Sequence, residues 1–215
     1  IHQGQALKYS KFDVFKKIGN EIQINKPNYS NHVPLTKLEH VITVIHKALL
    51  PHLYTTLCHN DLHAGNLFFL GTEFKAIDYE DVGLNDPYFD IATVTAYFAS
   101  KPVHARFLLA TYLRQEPSAV EEAKLFLMKQ VVLTKWALDF LKKLSQETVQ
   151  QYSLTSPLVF TSAHELLSRV KSKTDLTEAE INLKSLKSLL NEIFDNFDSR
   201  RIPNSINVLS NGLTR

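Results

Sequence analysis

Along most of the chain apolar residues return every third or fourth position, the spacing that puts them on one face of a helix. Leu38, Val41, Ile42, Ile45 and Leu49 predict a helix that stops at Pro51, and Thr36-x-x-Glu39 before them is a capping-box pattern. Leu7, Phe12, Phe15 and Ile18 predict a short helix or two over residues 4–24, followed by a loop over 26–34. Asp86-Pro87 opens a helix through Tyr88, Ile91, Val94 and Phe98 that ends near Lys101-Pro102, and Val103–Leu113 is the next. Ser118-x-x-Glu121 caps a long one running past Trp136 to about Leu144, and Ser156-Pro157 opens another ending near Val170. A last helix starts at Thr177-x-x-Glu180 and carries Ile181, Leu186, Leu190, Ile193 and Phe197 on one face, after which 204–215 reads as a loose polar tail. Residues 57–81 break this rhythm. Two short β-type runs, Leu67–Leu70 and Phe74–Ile77, flank Gly71-Thr72 as a hairpin. The expected fold is α+β and mainly helical, one lobe over 1–215 holding a small hairpin, with no internal repeat.

The polar residues around that hairpin carry the candidate chemistry. His59, Asp61 and Asn66 form H-x-D-x-x-x-x-N, and Asp78 follows across the hairpin with Glu80 two further on. In phosphoryl transfer one Asp orients the attacking hydroxyl while an Asn and a later Asp hold Mg²⁺, so Asp61 is the expected catalytic residue and Asn66 and Asp78 the metal ligands. Three hard oxygen donors suit Mg²⁺ better than zinc. Singly, each has a plainer reading: a turn carboxylate, a strand-start amide, a strand-end turn residue. Glu80 is a second-metal ligand through water, an attraction for a cationic substrate, or a solvated surface acid. His63 either touches the transferred phosphate or makes a structural hydrogen bond, and His59 is a structural pin of the loop. A zinc site on His59-x-x-x-His63 would need both imidazoles on one helical face, which Gly65 and the following β run oppose.

Composition narrows the setting. The chain has 215 residues, 24 Lys and Arg against 22 Asp and Glu, net charge +2, and one cysteine. Charge this evenly spread argues against a nucleic-acid or membrane-surface protein, and no apolar run is long enough to span a bilayer. Cys58 alone excludes an internal disulfide framework and favours a reducing, cytoplasmic compartment; in the apolar run TTLCH it reads as a buried thiol.

HNDLHAGN, followed by IDYEDVGLNDPYFDIA, resembles the choline, ethanolamine and aminoglycoside kinase-like phosphotransferases over residues 58–92. Asp78-Tyr79-Glu80 looks closer to the choline-type branch. The resemblance implies the C-terminal lobe of a protein kinase-like fold, with ATP as co-substrate. The six glycines include no G-x-G-x-x-G, so a nucleotide-binding N-terminal lobe is expected before Ile1, where Ile1-His2-Gln3 looks like the stretch that follows it in relatives. That lobe is the expected macromolecular partner, and a homo-oligomer is compatible. Asp90 in YFDIA resembles the family's buried Asp that steadies the catalytic loop. Trp136 resembles the later Trp of a W-x-x-W segment whose earlier position here is Leu133. Tyr97 could supply another aromatic wall, while Glu80, Asp81 and Asp86 favour a positively charged alcohol. The expected activity is phosphorylation of a small, cationic alcohol, with an aminoglycoside kinase or a catalytically silent binding module as alternatives.

Overall fold

The computed structural model describes residues 9–99, 101–151 and 177–212. Eight helices are described: α1 Val14–Tyr29, α2 Leu35–Leu49, α3 Tyr88–Phe98, α4 Pro102–Leu113, α5 Ala119–Lys142, α6 Gln146–Gln151, α7 Glu178–Asp198 and α8 Arg201–Gly212. Between α2 and α3 lie four three-residue strands, β1 Thr56–Cys58, β2 Leu67–Phe69, β3 Phe74–Ala76 and β4 Gly83–Asn85. The architecture is mainly helical and holds the β2–β3 hairpin that the sequence predicts, together with a second antiparallel pair, β1–β4, that it does not. The expected helix over 156–170 lies outside the described residues.

The centre of the lobe is α5. Ser118 accepts from the Glu121 backbone N–H while the Glu121 carboxylate accepts from Ser118, closing the capping box that starts it. Leu127, Met128, Val131, Leu133, Leu138 and Leu141 on its flanks are buried, because α1, α2, α3, α7 and α8 all pack against it. A helix apolar on most of its surface can exist in water only where neighbours cover it. Thr177 and Glu180 make the same reciprocal cap on α7.

Three boundaries differ from expectation. The loop expected at 26–34 is helix as far as Tyr29, through Pro27, because Ile22, Asn25 and Tyr29 continue the buried stripe of α1 and the Tyr29 hydroxyl donates to Leu144 O at 2.7 Å. The box at Thr36 does not form. Pro34 precedes the first turn of α2 without a side-chain cap, and the Glu39 carboxylate instead accepts from Gln23 and Lys26 of α1. The expected loose tail over 204–215 is corrected by α8, which buries Ile202 and Leu209 and packs on α5, α2 and α7.

Both sheets sit at one end of this bundle. β1 pairs with β4 in the register Thr56↔Asn85 to Cys58↔Gly83, and β2 pairs with β3 from Leu67↔Ala76 to Phe69↔Phe74. The β2–β3 hairpin turns through Gly71 at φ 86°, a region open to residues without a Cβ. Phe68, Phe69, Leu70, Phe74 and Ile77 remain exposed on it. No helix among the described residues is long and apolar enough to cross a membrane.

Candidate active site

The segment from 59 to 66 joins the two sheets, and α3 holds it. The Asp90 carboxylate, on the first turn of α3, accepts from the backbone N–H of His59 at 2.7 Å and of Asn60 at 2.8 Å. Burial pushes the Asp90 carboxyl up, and those two N–H groups pull it back. Asp90 thus ties the start of the 59–66 segment to α3. Asn60 itself adopts φ 66°, a left-handed conformation that Asn tolerates better than most residues. Its buried amide donates to Asp81 O at 2.9 Å and accepts from Asn85 Nδ2 at 2.8 Å, joining the loop to β4.

Beyond that pin the chain turns sharply. His63 N–H donates to Asp61 O at 2.8 Å and Asn66 N–H to His63 O at 2.9 Å. Asn66 Nδ2 donates to both Asp61 O at 3.0 Å and Asp61 Oδ2 at 3.1 Å, so the amide orients the carboxylate. His63 Nε2 lies 3.4 Å from the same Oδ2, while Nδ1 accepts from Gly65 N–H at 2.9 Å. In the neutral ring the proton thus sits on Nε2, facing Asp61. A Cβ on residue 65 would come within 2.7 Å of that ring, which is why glycine stands there. The His63 imidazole is the largest influence on the half-buried Asp61 and draws its carboxyl below the usual carboxylate range. Burial opposes it, and the Lys135 ammonium adds a smaller downward pull.

The hairpin returns Asp78 to this place. Ile77 N–H donates to Asn66 O at 3.0 Å, and Ile77 O meets His59 Nε2 at 2.9 Å. Asp78, the next residue, sits at φ 64° and is exposed. A non-glycine residue held in that region costs of order 1 kcal/mol and persists only where its surroundings impose it. Asn66 and Asp78 thus leave adjacent points of the backbone. With the Asn66 nitrogen spent on Asp61, its Oδ1 and the Asp78 and Glu80 carboxylates are the oxygens able to meet a cation. Magnesium keeps several waters and takes one or two protein carboxylates, so oxygens of this kind suit its chemistry. Zinc finds no such set: His59 and His63 address separate partners on a non-helical loop, and no three His, Cys, Asp or Glu gather among the described residues.

Above His63 runs a line of aromatic rings. Tyr97 lies 5.9 Å from His63, and Trp136 meets Tyr97 edge-on at 4.9 Å. Burial, then the charge of Asp61, push the Tyr97 hydroxyl up to about 12. Leu133 is fully buried in the core and forms no second wall beside Trp136.

The other acids expected at the substrate are engaged elsewhere. The Asp81 carboxylate pairs with Lys17 of α1 at 3.3 Å. Asp86 is buried: Oδ2 meets Lys124 Nζ at 2.7 Å and Tyr54 N at 2.9 Å, and Oδ1 accepts from Tyr88 N. Its place is to seat α3 rather than to face solvent. Lys135 and Asn60 went unnoticed in the sequence. Lys135 stands beside Trp136, and Asn60 follows the His of the motif at a point where the turn needs a left-handed residue. Cys58 is buried with Sγ donating to Asn85 O at 3.3 Å, and burial pushes its thiol up to about 12. Iodoacetamide at pH 8 is therefore expected to leave the folded protein unlabelled and to react after denaturation. Rapid native labelling would contradict that burial.

Residues 25–126 match the phosphotransferase enzyme family. Two proteins named LicA from Haemophilus influenzae are each 32% identical over 107 residues, half of this chain. The chain spans only 40% of one and 31% of the other. A choline/ethanolamine kinase family protein from Mesorhizobium loti shares the fold, with a TM-score of 0.58 at 18% identity over 86% of this chain and 62% of that one.

Proposed function

With residues 25–126 carrying the phosphotransferase enzyme family's pattern on a choline/ethanolamine kinase-type fold, we propose that the protein transfers the γ-phosphoryl group of ATP to the hydroxyl of a small, cationic alcohol. The observation that carries this is the Asp61 carboxylate, oriented through Oδ2 by Asn66 and drawn toward its ionised form by His63. With Oδ2 so engaged, Oδ1 accepts the hydroxyl proton and aims the alcohol oxygen; in this chemistry positioning supplies most of the rate. Asn66 and Asp78 hold Mg²⁺ with Glu80 near it, and bound Mg²⁺·ATP supplies the phosphoryl group with its charge partly neutralised. His63 keeps Asp61 oriented through its Nε2–H.

A cationic acceptor is favoured by what surrounds Asp61. Tyr97 and Trp136 offer aromatic surface, each contact with an ammonium being worth about 0.5–2 kcal/mol. The carboxylates left for attraction are Asp61, Asp78 and Glu80, since Asp81 and Asp86 have lysine partners. The exposed apolar face of the β2–β3 hairpin is where we place the purine ring and a covering nucleotide-binding lobe. The reaction belongs to the cytoplasm, where ATP is held.

The test is turnover by the intact protein with ATP and Mg²⁺, offered choline, ethanolamine or an aminoglycoside in turn. Phosphorylation of choline or ethanolamine supports the proposal, an aminoglycoside product moves the acceptor class, and silence with all three from folded protein sinks it. Asp78→Ala is expected to weaken Mg²⁺-dependent ATP binding about tenfold or more in calorimetry, with little change in affinity measured without the metal. Equal metal-dependent affinity would remove Asp78 from the ligand set.

A further inference from the structure

A second site lies on the far side of α3. A cavity of about 470 Å³ opens between α3, α4, α5, α7 and the start of α8, within the size range of small-molecule sites. None of the residues assigned to phosphoryl transfer lines it. Thr95 does, two positions before Tyr97, and side chains two apart on a helix face different ways.

Its polar lining is unevenly satisfied. On the same helices but outside the lining, the Thr93, Thr111 and Thr134 hydroxyls donate back to carbonyls one turn earlier. Thr95, 3% exposed, has a buried Oγ1 with no hydrogen-bond partner, an arrangement that costs stability unless something fills it. Arg201 is held ready: Nη1 donates to Asn196 Oδ1 at 2.7 Å, Asn196 Nδ2 donates to Gln130 Oε1 at 3.2 Å, and the guanidinium lies 4.9 Å over the Phe126 ring. A neutral amide orients that fork without cancelling its charge.

The lining carries four cations, Lys101, Arg106, Lys129 and Arg201, against three carboxylates, Glu122, Glu192 and Asp195. Arg106 is spent on Glu122 at 2.7 Å and Glu116 at 3.0 Å, and Lys129 on Glu192 at 2.9 Å. That leaves Lys101 and Arg201 as cations against the Asp195 carboxylate among the described lining residues. Leu109, Leu125 and Phe126 supply apolar walls. We propose that this cavity binds a small organic anion, its carboxylate or phosphate gripped by the free edge of the Arg201 guanidinium, its oxygen met by Thr95 Oγ1, and its apolar body against Leu109 and Leu125. Planar forks of this kind suit paired anionic oxygens.

Phenyl phosphate and benzoate, titrated into the intact protein and followed by amide NMR shifts, test the site and separate the two head groups. Saturable shifts at Phe126, Lys129 and Arg201 are expected with at least one probe, with a dissociation constant of about 1 mM or below. Arg201→Gln should raise that constant about tenfold or more. Thr95→Val should weaken binding too while leaving the melting temperature of the free protein unchanged or higher, since it removes an unpaired hydroxyl. This second variant decides the matter if Arg201→Gln proves poorly folded. No saturable shift with either probe, shifts confined to the loop around Asp61, or unaltered affinity in folded variants would overturn the site. Because binding alone is read, the outcome does not depend on whether phosphoryl transfer occurs.

Discussion

Asp61→Asn is expected to lower turnover by about 10²- to 10⁴-fold, the usual contribution of a positioned general base, while the affinity for Mg²⁺·ATP changes little. The amide keeps the shape of the carboxylate but cannot take the hydroxyl proton at Oδ1. The side chain touches Asn66 and His63, whereas the metal is assigned to Asn66 and Asp78, so the loss should fall on kcat rather than on nucleotide binding. The pH profile gives an independent check. A carboxyl held below its ordinary value stays ionised down to that lowered value, and the active form is lost only as pH falls through it. No acid limb from Asp61 should therefore appear above about pH 4. Since His63 is the largest cause of the depression, His63→Ala should move that limb upward. Unchanged turnover in Asp61→Asn would remove it from the chemistry, and a limb unmoved by His63→Ala would show that the imidazole does not govern it.

The second large effect is on stability. Lys124→Met is expected to cost about 3–5 kcal/mol, the penalty of leaving a buried charge without its partner. Lys124 is 5% and Asp86 4% exposed. The ammonium donates to Asp86 Oδ2 at 2.7 Å and to His52 O at 2.6 Å. The rings of Tyr54 and Tyr88 lie 4.6 and 4.3 Å from it. One pair thus fastens the turn after α2, the approach to β1, the start of α3 and the first half of α5. Adding Asp86→Asn to Lys124→Met should recover part of the loss, because a neutral amide is cheaper to bury while its single oxygen can still accept from one of the backbone N–H groups of Tyr54 and Tyr88. Urea unfolding checks both variants. A loss under 1 kcal/mol for the single change would mean that the pair contributes little to the fold.

That pair also shows where sequence reasoning stopped. The H-x-D-x-x-x-x-N segment, the hairpin and the caps at Ser118 and Thr177 were legible because each is written within a few consecutive residues. Asp81 and Asp86 looked like cleft acids because a local pattern shows a carboxylate but not the lysine, Lys17 or Lys124, that the fold brings to it. The box at Thr36 failed for the same reason: Glu39 found Gln23 and Lys26 across the interface between α1 and α2. α8 went unseen because Pro203 and several Asn and Ser residues lower its intrinsic helicity, although Ile202, Ile206 and Leu209 keep helical spacing. Pro203 sits in the first turn, where its missing N–H costs nothing. Asp90 was singled out through the resemblance, and in the fold its carboxylate accepts from two backbone N–H groups. Lys135 had no local signal beyond standing next to Trp136.

The β2–β3 hairpin has a practical consequence at the bench. Two short strands with both edges open, carrying Phe69 at 61% and Phe74 at 70% exposure with their rings 5.0 Å apart, form an adhesive tip. Produced by itself, this polypeptide should scatter more light as it is concentrated. Phe74→Lys should restore clarity.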